Sequence, residues 1–116
     1  MANPPDAAPY GAPVPPARSG RLTLTALAKL VSAGERLAML TEYDASLAGV
    51  CDRAGVDILL VGDSLGMVIQ GHPTTLPVEL SHALYHTRCV VAGSARPLVI
   101  TDLPFGTYQA GPEDAF

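Results

Sequence analysis

Two short runs of branched apolar residues, each ending in an aspartate, constrain this chain more than any other feature. Ile58-Leu59-Leu60-Val61 stops abruptly at Gly62-Asp63-Ser64, and Pro97-Leu98-Val99-Ile100-Thr101 stops at Asp102-Leu103-Pro104. Such runs, bounded by glycine or proline, have the pattern of strands buried on both faces, as in a parallel sheet. Each strand then delivers a carboxylate at its C-terminal tip, and that end of an α/β sheet is where chemistry concentrates.

The stretches between and before these runs alternate with them. Leu24, Leu27, Ala28 and Val31 recur at helical spacing, with Thr23 able to cap the start and Gly34 past the last periodic residue, which predicts an amphipathic helix over about 23 to 33. Residues 37 to 41 read as a first strand. Asp44 fits the N-cap of a second helix, whose face is Leu47, Ala48, Cys51 and Ala54 and whose stop is Gly55. After the central strand comes a loop over 67 to 76, longer than most strand-to-helix connections. Pro77 then suits the first position of a third helix with Leu80, Ala83, Leu84, Thr87 and Val91 on one face and Gly93 at its close. Phe105-Gly106-Thr107-Tyr108 reads as a loop, and Gly111-Pro112-Glu113-Asp114 as the start of another helix.

Strand and helix alternating in this way predict a parallel α/β fold. Three strands do not close a barrel and leave a free edge, so the expectation is the first part of a larger (β/α) domain. Residues 1–21 stand apart, with six of the chain's 11 prolines in the first sixteen positions. That composition predicts a disordered or extended leader, with a proline-motif ligand as the other reading.

Bulk properties narrow the function. At 116 residues and 48% hydrophobic content the chain suffices for at most one domain. A net charge of -4 gives no basic footprint for nucleic acid or an anionic membrane. Apolar stretches fall short of the roughly 18 residues that span a bilayer, and no basic-then-apolar secretory segment opens the chain, so a cytoplasmic location is expected. Cys51 and Cys89 lack CxxC spacing and fit buried small apolar residues in a reducing compartment.

Three arrangements carry chemistry on their face, each with a plainer counterpart. Gly62-Asp63-Ser64-Leu65-Gly66 matches the G-x-S-x-G elbow and echoes the GDSL hydrolases, but the elbow needs a helix directly after the serine, and Met67-Val68-Ile69-Gln70-Gly71 is a poor helix start. His82 and His86, at i and i+4, would present two imidazoles to one metal, yet no HExxH glutamate lies between them; a partly exposed helix face is the plainer reading. Asp63 and Asp102 at neighbouring strand ends offer the hard oxygen donors that Mg²⁺ takes, one or two carboxylates at a time with substrate oxygens completing the shell. The alternative for each is a cap on its own loop, as for Asp44.

Val61-Gly62-Asp63-Ser64-Leu65-Gly66-Met67 with Gln70-Gly71-His72, then Thr75-Leu76-Pro77-Val78, Tyr85-His86-Thr87 and Asp102-Leu103-Pro104-Phe105, together with Thr41-x-Tyr43-Asp44, resembles the N-terminal part of the ketopantoate hydroxymethyltransferases. The resemblance runs from about Leu24 to Phe116. It implies the N-terminal part of a (β/α)8 TIM barrel over 22–116, in a Mg²⁺-dependent homo-oligomer, often a decamer. The implied reaction, in pantothenate biosynthesis, transfers a hydroxymethyl group from 5,10-methylenetetrahydrofolate to 3-methyl-2-oxobutanoate, giving 2-dehydropantoate. It also implies Asp63 and Asp102 as metal ligands, Asp63, Ser64 and Asp102 as contacts to the oxoacid, and Tyr43 in the pocket wall. The family's substrate lysine, third metal carboxylate and catalytic-base glutamate are expected beyond Phe116; Lys29, in the leading helix, cannot replace the lysine. Glu42 departs from the small residue usual between the threonine and the tyrosine. Two other readings remain at this level: a Mg²⁺-dependent 2-oxoacid C–C lyase or mutase on a related barrel, and a truncated, non-catalytic chain.

Overall fold

The computed structural model describes residues 20–116, so all but the last two residues of the leader stretch lie outside it. The elements run α1 (Leu24–Ser32), β1 (Met39–Thr41), α2 (Ala45–Arg53), β2 (Ile58–Val61), α3 (Leu65–Val68), α4 (Leu80–Gly93), β3 (Leu98–Thr101) and a closing 3-10 turn at Pro112–Ala115. The strands form one parallel sheet in the order β1-β2-β3, with Met39 opposite Ile58 and Ile58 opposite Leu98. Parallel neighbours need a crossover, and here helices supply it, α2 between β1 and β2 and the α3 to α4 segment between β2 and β3.

Local chemistry sets most boundaries. The Thr23 hydroxyl accepts from the Ala26 amide at 3.2 Å to open α1, and the Asp44 carboxylate accepts from the Leu47 amide at 2.9 Å to open α2. Gly34 and Gly55 follow the helices with φ of 81° and 86°, a backbone that branched residues avoid. The third long helix departs from the sequence expectation: it starts at Leu80, not at Pro77. The Glu79 amide donates to His82 Nδ1 at 3.1 Å, so a side chain in the first turn captures an orphan donor and fixes the start three residues later. A second departure is α3, one turn of helix where the sequence predicts loop.

The core lies on one side of the sheet. Leu59 and Val61 of β2 pack with Ala48 and Cys51 of α2, Leu65 of α3, Val90 of α4, and Val56 and Val78 from connecting loops. α4 crosses α2 at close range, since a Cβ on Gly93 would overlap the backbone of Ala45. The expectation that β2 is covered on both faces is corrected. Its burial alternates, with Ile58 and Leu60 only half-buried, because every described helix in the core packs on the Leu59 and Val61 side. Register puts Met39, Leu98 and Ile100 on that second face with Ile58 and Leu60. The apolar stripe of α1 is likewise only partly used: Leu27 is buried while Leu24 is 74% exposed.

Polar contacts knit the N-terminal ends of the strands. Arg96 pairs with Asp57 and donates to the carbonyls of Gly55 and Val56, while Asp57 Oδ2 accepts from the Ala38 amide. Arg21, last of the leader stretch, donates to the carbonyls of Ser94 and Pro97. With this end tied down, the opposite end of the sheet is free to carry a site.

Candidate functional site

At the C-terminal ends of the strands the backbone sets the spacing before any side chain does. The Asp102 amide donates to the Val61 carbonyl at 3.0 Å, a last rung that locks the tip of β3 against the tip of β2. Immediately after Val61 the chain turns through Gly62 and Asp63, and the amides of Leu65 and Gly66 return to the carbonyls of Gly62 and Asp63. Asp63 and Asp102 thereby face one cleft of about 380 Å³, which Thr101, Leu103 and Tyr108 also line.

Neither carboxylate is spent on local structure. Among the described residues no hydrogen bond or ion pair engages the side chain of Asp63 or Asp102, and Asp63 does not cap α3, whose N-cap is Ser64. A loop-capping role, the plainer alternative for both, is therefore not what these side chains do here. Asp44, by contrast, is occupied as an N-cap, as its sequence position predicts.

Gly62 brings a hydroxyl to the same place. A Cβ on this glycine would lie 3.1 Å from Ser64 Oγ and 3.4 Å from Asp102 Oδ2, so the hydroxyl and the second carboxylate converge over a residue that has no side chain. Ser64 Oγ is in turn 2.7 Å from the Tyr43 hydroxyl. The Tyr43 carbonyl accepts from His86 Nδ1, also at 2.7 Å, which means that Nδ1 carries the hydrogen. Cleft and relay thus draw on β1, β2, β3 and α4.

The structure separates the other candidates. His82 is engaged with the Glu79 amide and His86 with Tyr43, so the two imidazoles serve different partners and do not form a metal pair. Ser64 does enter a helix, contrary to the expectation that its successors would not start one. Its backbone is ordinary right-handed (φ -55°) and its hydroxyl partner is a phenol, so among the described residues it has neither the strained elbow nor a histidine base. Glu42 turns away from the cleft into the layer below α2, where it is 8% exposed and accepts from Cys51 Sγ at 3.0 Å. Burial, then the hydrogen bond to Glu42 and its charge, push the Cys51 thiol up to about 11. Cys51 is buried as expected, whereas Cys89 is only half-buried.

Sequence reasoning missed Thr101, Leu103 and Tyr108 in the cleft wall and the tie between His86 and Tyr43. Tyr108 is presented by a loop in which Thr107 Oγ1 donates to the Pro104 carbonyl at 2.6 Å and Gln109 Oε1 accepts from the Gly106 amide at 2.6 Å. The available signal was an aromatic residue two positions after a glycine, beyond a strand that ends in aspartate.

As a metal site the arrangement fits a hard divalent ion in part. Two free carboxylates and an open cleft suit Mg²⁺, which usually takes one or two protein carboxylates. Among the described residues no third acid, histidine or cysteine joins them to make a three-ligand cluster.

Comparison with known proteins gives a consistent set of relatives. The family model described as ketopantoate hydroxymethyltransferase matches residues 21–116. The protein of Thiobacillus denitrificans named 3-methyl-2-oxobutanoate hydroxymethyltransferase is 61% identical over 95 residues, covering 82% of this chain and 36% of that protein. Proteins of the same name from Aromatoleum aromaticum and Neisseria meningitidis are 56% and 53% identical, covering 81% and 82% of this chain and 35% and 36% of their own lengths. The chain spans about a third of the length of the curated relatives it matches.

Proposed function

Because the chain belongs to the ketopantoate hydroxymethyltransferase family, we propose that it supplies the metal- and oxoacid-holding part of a 3-methyl-2-oxobutanoate hydroxymethyltransferase. In this reading residues 22–116 are the opening βα units of a TIM barrel in a homo-oligomeric enzyme. The full-length protein transfers a hydroxymethyl group from 5,10-methylenetetrahydrofolate to 3-methyl-2-oxobutanoate and forms 2-dehydropantoate. The observation that carries the reading is the pair of uncommitted carboxylates, Asp63 and Asp102, on adjacent strand tips beside the Ser64 hydroxyl.

Asp63 and Asp102 would hold the Mg²⁺ ion, which when bound polarises the carbonyl of a 2-oxoacid and so acidifies its C3 hydrogen. Ser64 has the geometry to donate to the substrate carboxylate: if the Tyr43 phenol donates to Ser64 Oγ, the serine hydrogen is left free for the anion. Gly62 keeps the space between hydroxyl and carboxylate clear. Tyr108, Leu103 and Thr101 form the cleft wall beside the two carboxylates. Removing the C3 proton requires a base, and among the described residues the cleft offers no carboxylate besides the two assigned to the metal. Residues 21–116 on their own are therefore proposed to bind without turning over.

The test is metal binding and turnover in the full-length protein that carries these residues, with Asp63→Asn and Asp102→Asn. Each substitution is expected to weaken Mg²⁺ by at least about tenfold, since even indirect perturbation of a metal's surroundings costs that much. Turnover of 3-methyl-2-oxobutanoate should fall with it. Unchanged affinity and turnover in either variant would overturn the assignment.

A further inference from the structure

Resting on the reading of Ser64 as a substrate contact, we infer that His86 is a positioning residue for the site, acting on Ser64 through Tyr43. The path is short and continuous. His86 Nδ1 donates to the Tyr43 carbonyl at 2.7 Å, and the Tyr43 hydroxyl meets Ser64 Oγ at 2.7 Å. Ser64 Oγ in turn lies over Gly62 beside Asp102 Oδ2.

Tyr43 is the residue at which the chain leaves β1 and has not yet entered α2. Its neighbours are fixed on both sides: the Glu42 amide makes the last bond to the sheet, at the Leu60 carbonyl, and Asp44 caps α2. Tyr43's own carbonyl belongs to neither ladder, and His86 is the partner it has. By holding the carbonyl, His86 restrains the Cα of Tyr43 from which the phenol extends, and a shift of that Cα would carry the hydroxyl and its contact to Ser64 Oγ with it.

His86 is well placed to prevent that shift. It projects from the 14-residue α4, which is seated against α2 where Gly93 meets Ala45, so the donor stands on a rigid element. Its ring is held edge-on by two aromatics, Tyr85 at 5.2 Å and Tyr43 at 6.4 Å between centroids. Because a carbonyl can only accept, Nδ1 must be the protonated nitrogen, and the role needs an N–H at that position, not a charge.

The experiment is steady-state kinetics on the full-length protein with His86→Asn, His86→Gln, Tyr43→Phe, and Tyr43→Phe combined with His86→Gln. The amide nitrogen of asparagine falls near the place of Nδ1, while that of glutamine falls near Nε2, so both variants are polar and only one restores the donor. Expected is a drop in kcat/KM of about tenfold to a hundredfold for His86→Gln, the cost of misplacing a contact by up to an ångström, with His86→Asn within about threefold of the parent. The double variant should be no worse than Tyr43→Phe alone, because the phenol through which His86 acts is gone. Equal losses in the asparagine and glutamine variants, or losses that multiply in the double variant, would overturn the inference. Ser64→Ala and Asp63→Asn are the controls: if they impair turnover and His86→Gln does not, this inference alone fails; if they too are silent, the site assignment beneath it fails.

Discussion

Replacing Gly62 with alanine separates the requirements of the fold from those of the site. Gly62 is not one of the glycines with positive φ, so its backbone accepts a side chain without strain. The new Cβ would sit 3.1 Å from Ser64 Oγ, closer than nearly all real contacts of this kind, and 3.4 Å from Asp102 Oδ2, an ordinary contact. Ser64 Oγ must therefore yield by a few tenths of an ångström, which disturbs the 2.7 Å hydrogen bond it shares with the Tyr43 hydroxyl. Even full loss of that hydrogen bond would cost no more than about 0.5–1.5 kcal/mol. Alanine's smaller unfolded-state entropy returns about 0.4–1 kcal/mol. The two nearly cancel, so stability should change by less than about 1 kcal/mol and Tm by a few degrees. Catalysis has no such offset, and kcat/KM should fall about tenfold or more as the hydroxyl leaves its place. Thermal melts and steady-state turnover of the full-length protein read the two effects separately. An unchanged kcat/KM would refute the claim that Ser64 and Asp102 act together over this glycine, and a collapse in Tm would refute the packing estimate.

Leu59→Ala probes the core instead: Leu59 is fully buried between the sheet and its helices, so urea unfolding should show a loss of about 2–5 kcal/mol. Cys51 predicts an alkaline weakness. Its folded thiol is raised to about 11 from an ordinary value of 9.0, so stability is fully present below pH 9 and falls as pH rises toward 11. Denaturant melts at pH 8 and pH 10.5 should show a shallower fall for Cys51→Ala than for the parent, and a maleimide reagent at neutral pH should label half-buried Cys89 ahead of Cys51.

How much of this was legible in the sequence follows the range of the interactions involved. The β2 and β3 segments, the caps at Thr23 and Asp44 and the stops at Gly34 and Gly55 depend on residues a few positions apart, and they stand where the pattern predicts. Asp63 and Asp102 were legible as strand-end acids, because a parallel sheet puts all its C-terminal tips at one end. The start of α4 was misplaced because Pro77 is a statistical signal, whereas Glu79 and His82 make an actual bond. The coverage of β2 was misjudged because an aliphatic run states that a strand can be buried on two faces, not that two layers are present. The tie between His86 and Tyr43 joins residues 43 positions apart, and the position of Tyr108 depends on how a loop folds back; no local periodicity encodes either.

The bond from the Asp102 amide to the Val61 carbonyl makes the backbone itself the gauge for the acidic pair. The rung fixes Asp102 against the end of β2, and the turn through Gly62 and Asp63, closed by the Leu65 and Gly66 amides, sets Asp63 on the same side. The stretch from Leu103 to Tyr108 can therefore lengthen, shorten or change its aromatic residue and alter who is admitted, while rung and turn, both upstream of it, keep the two acids at one cleft.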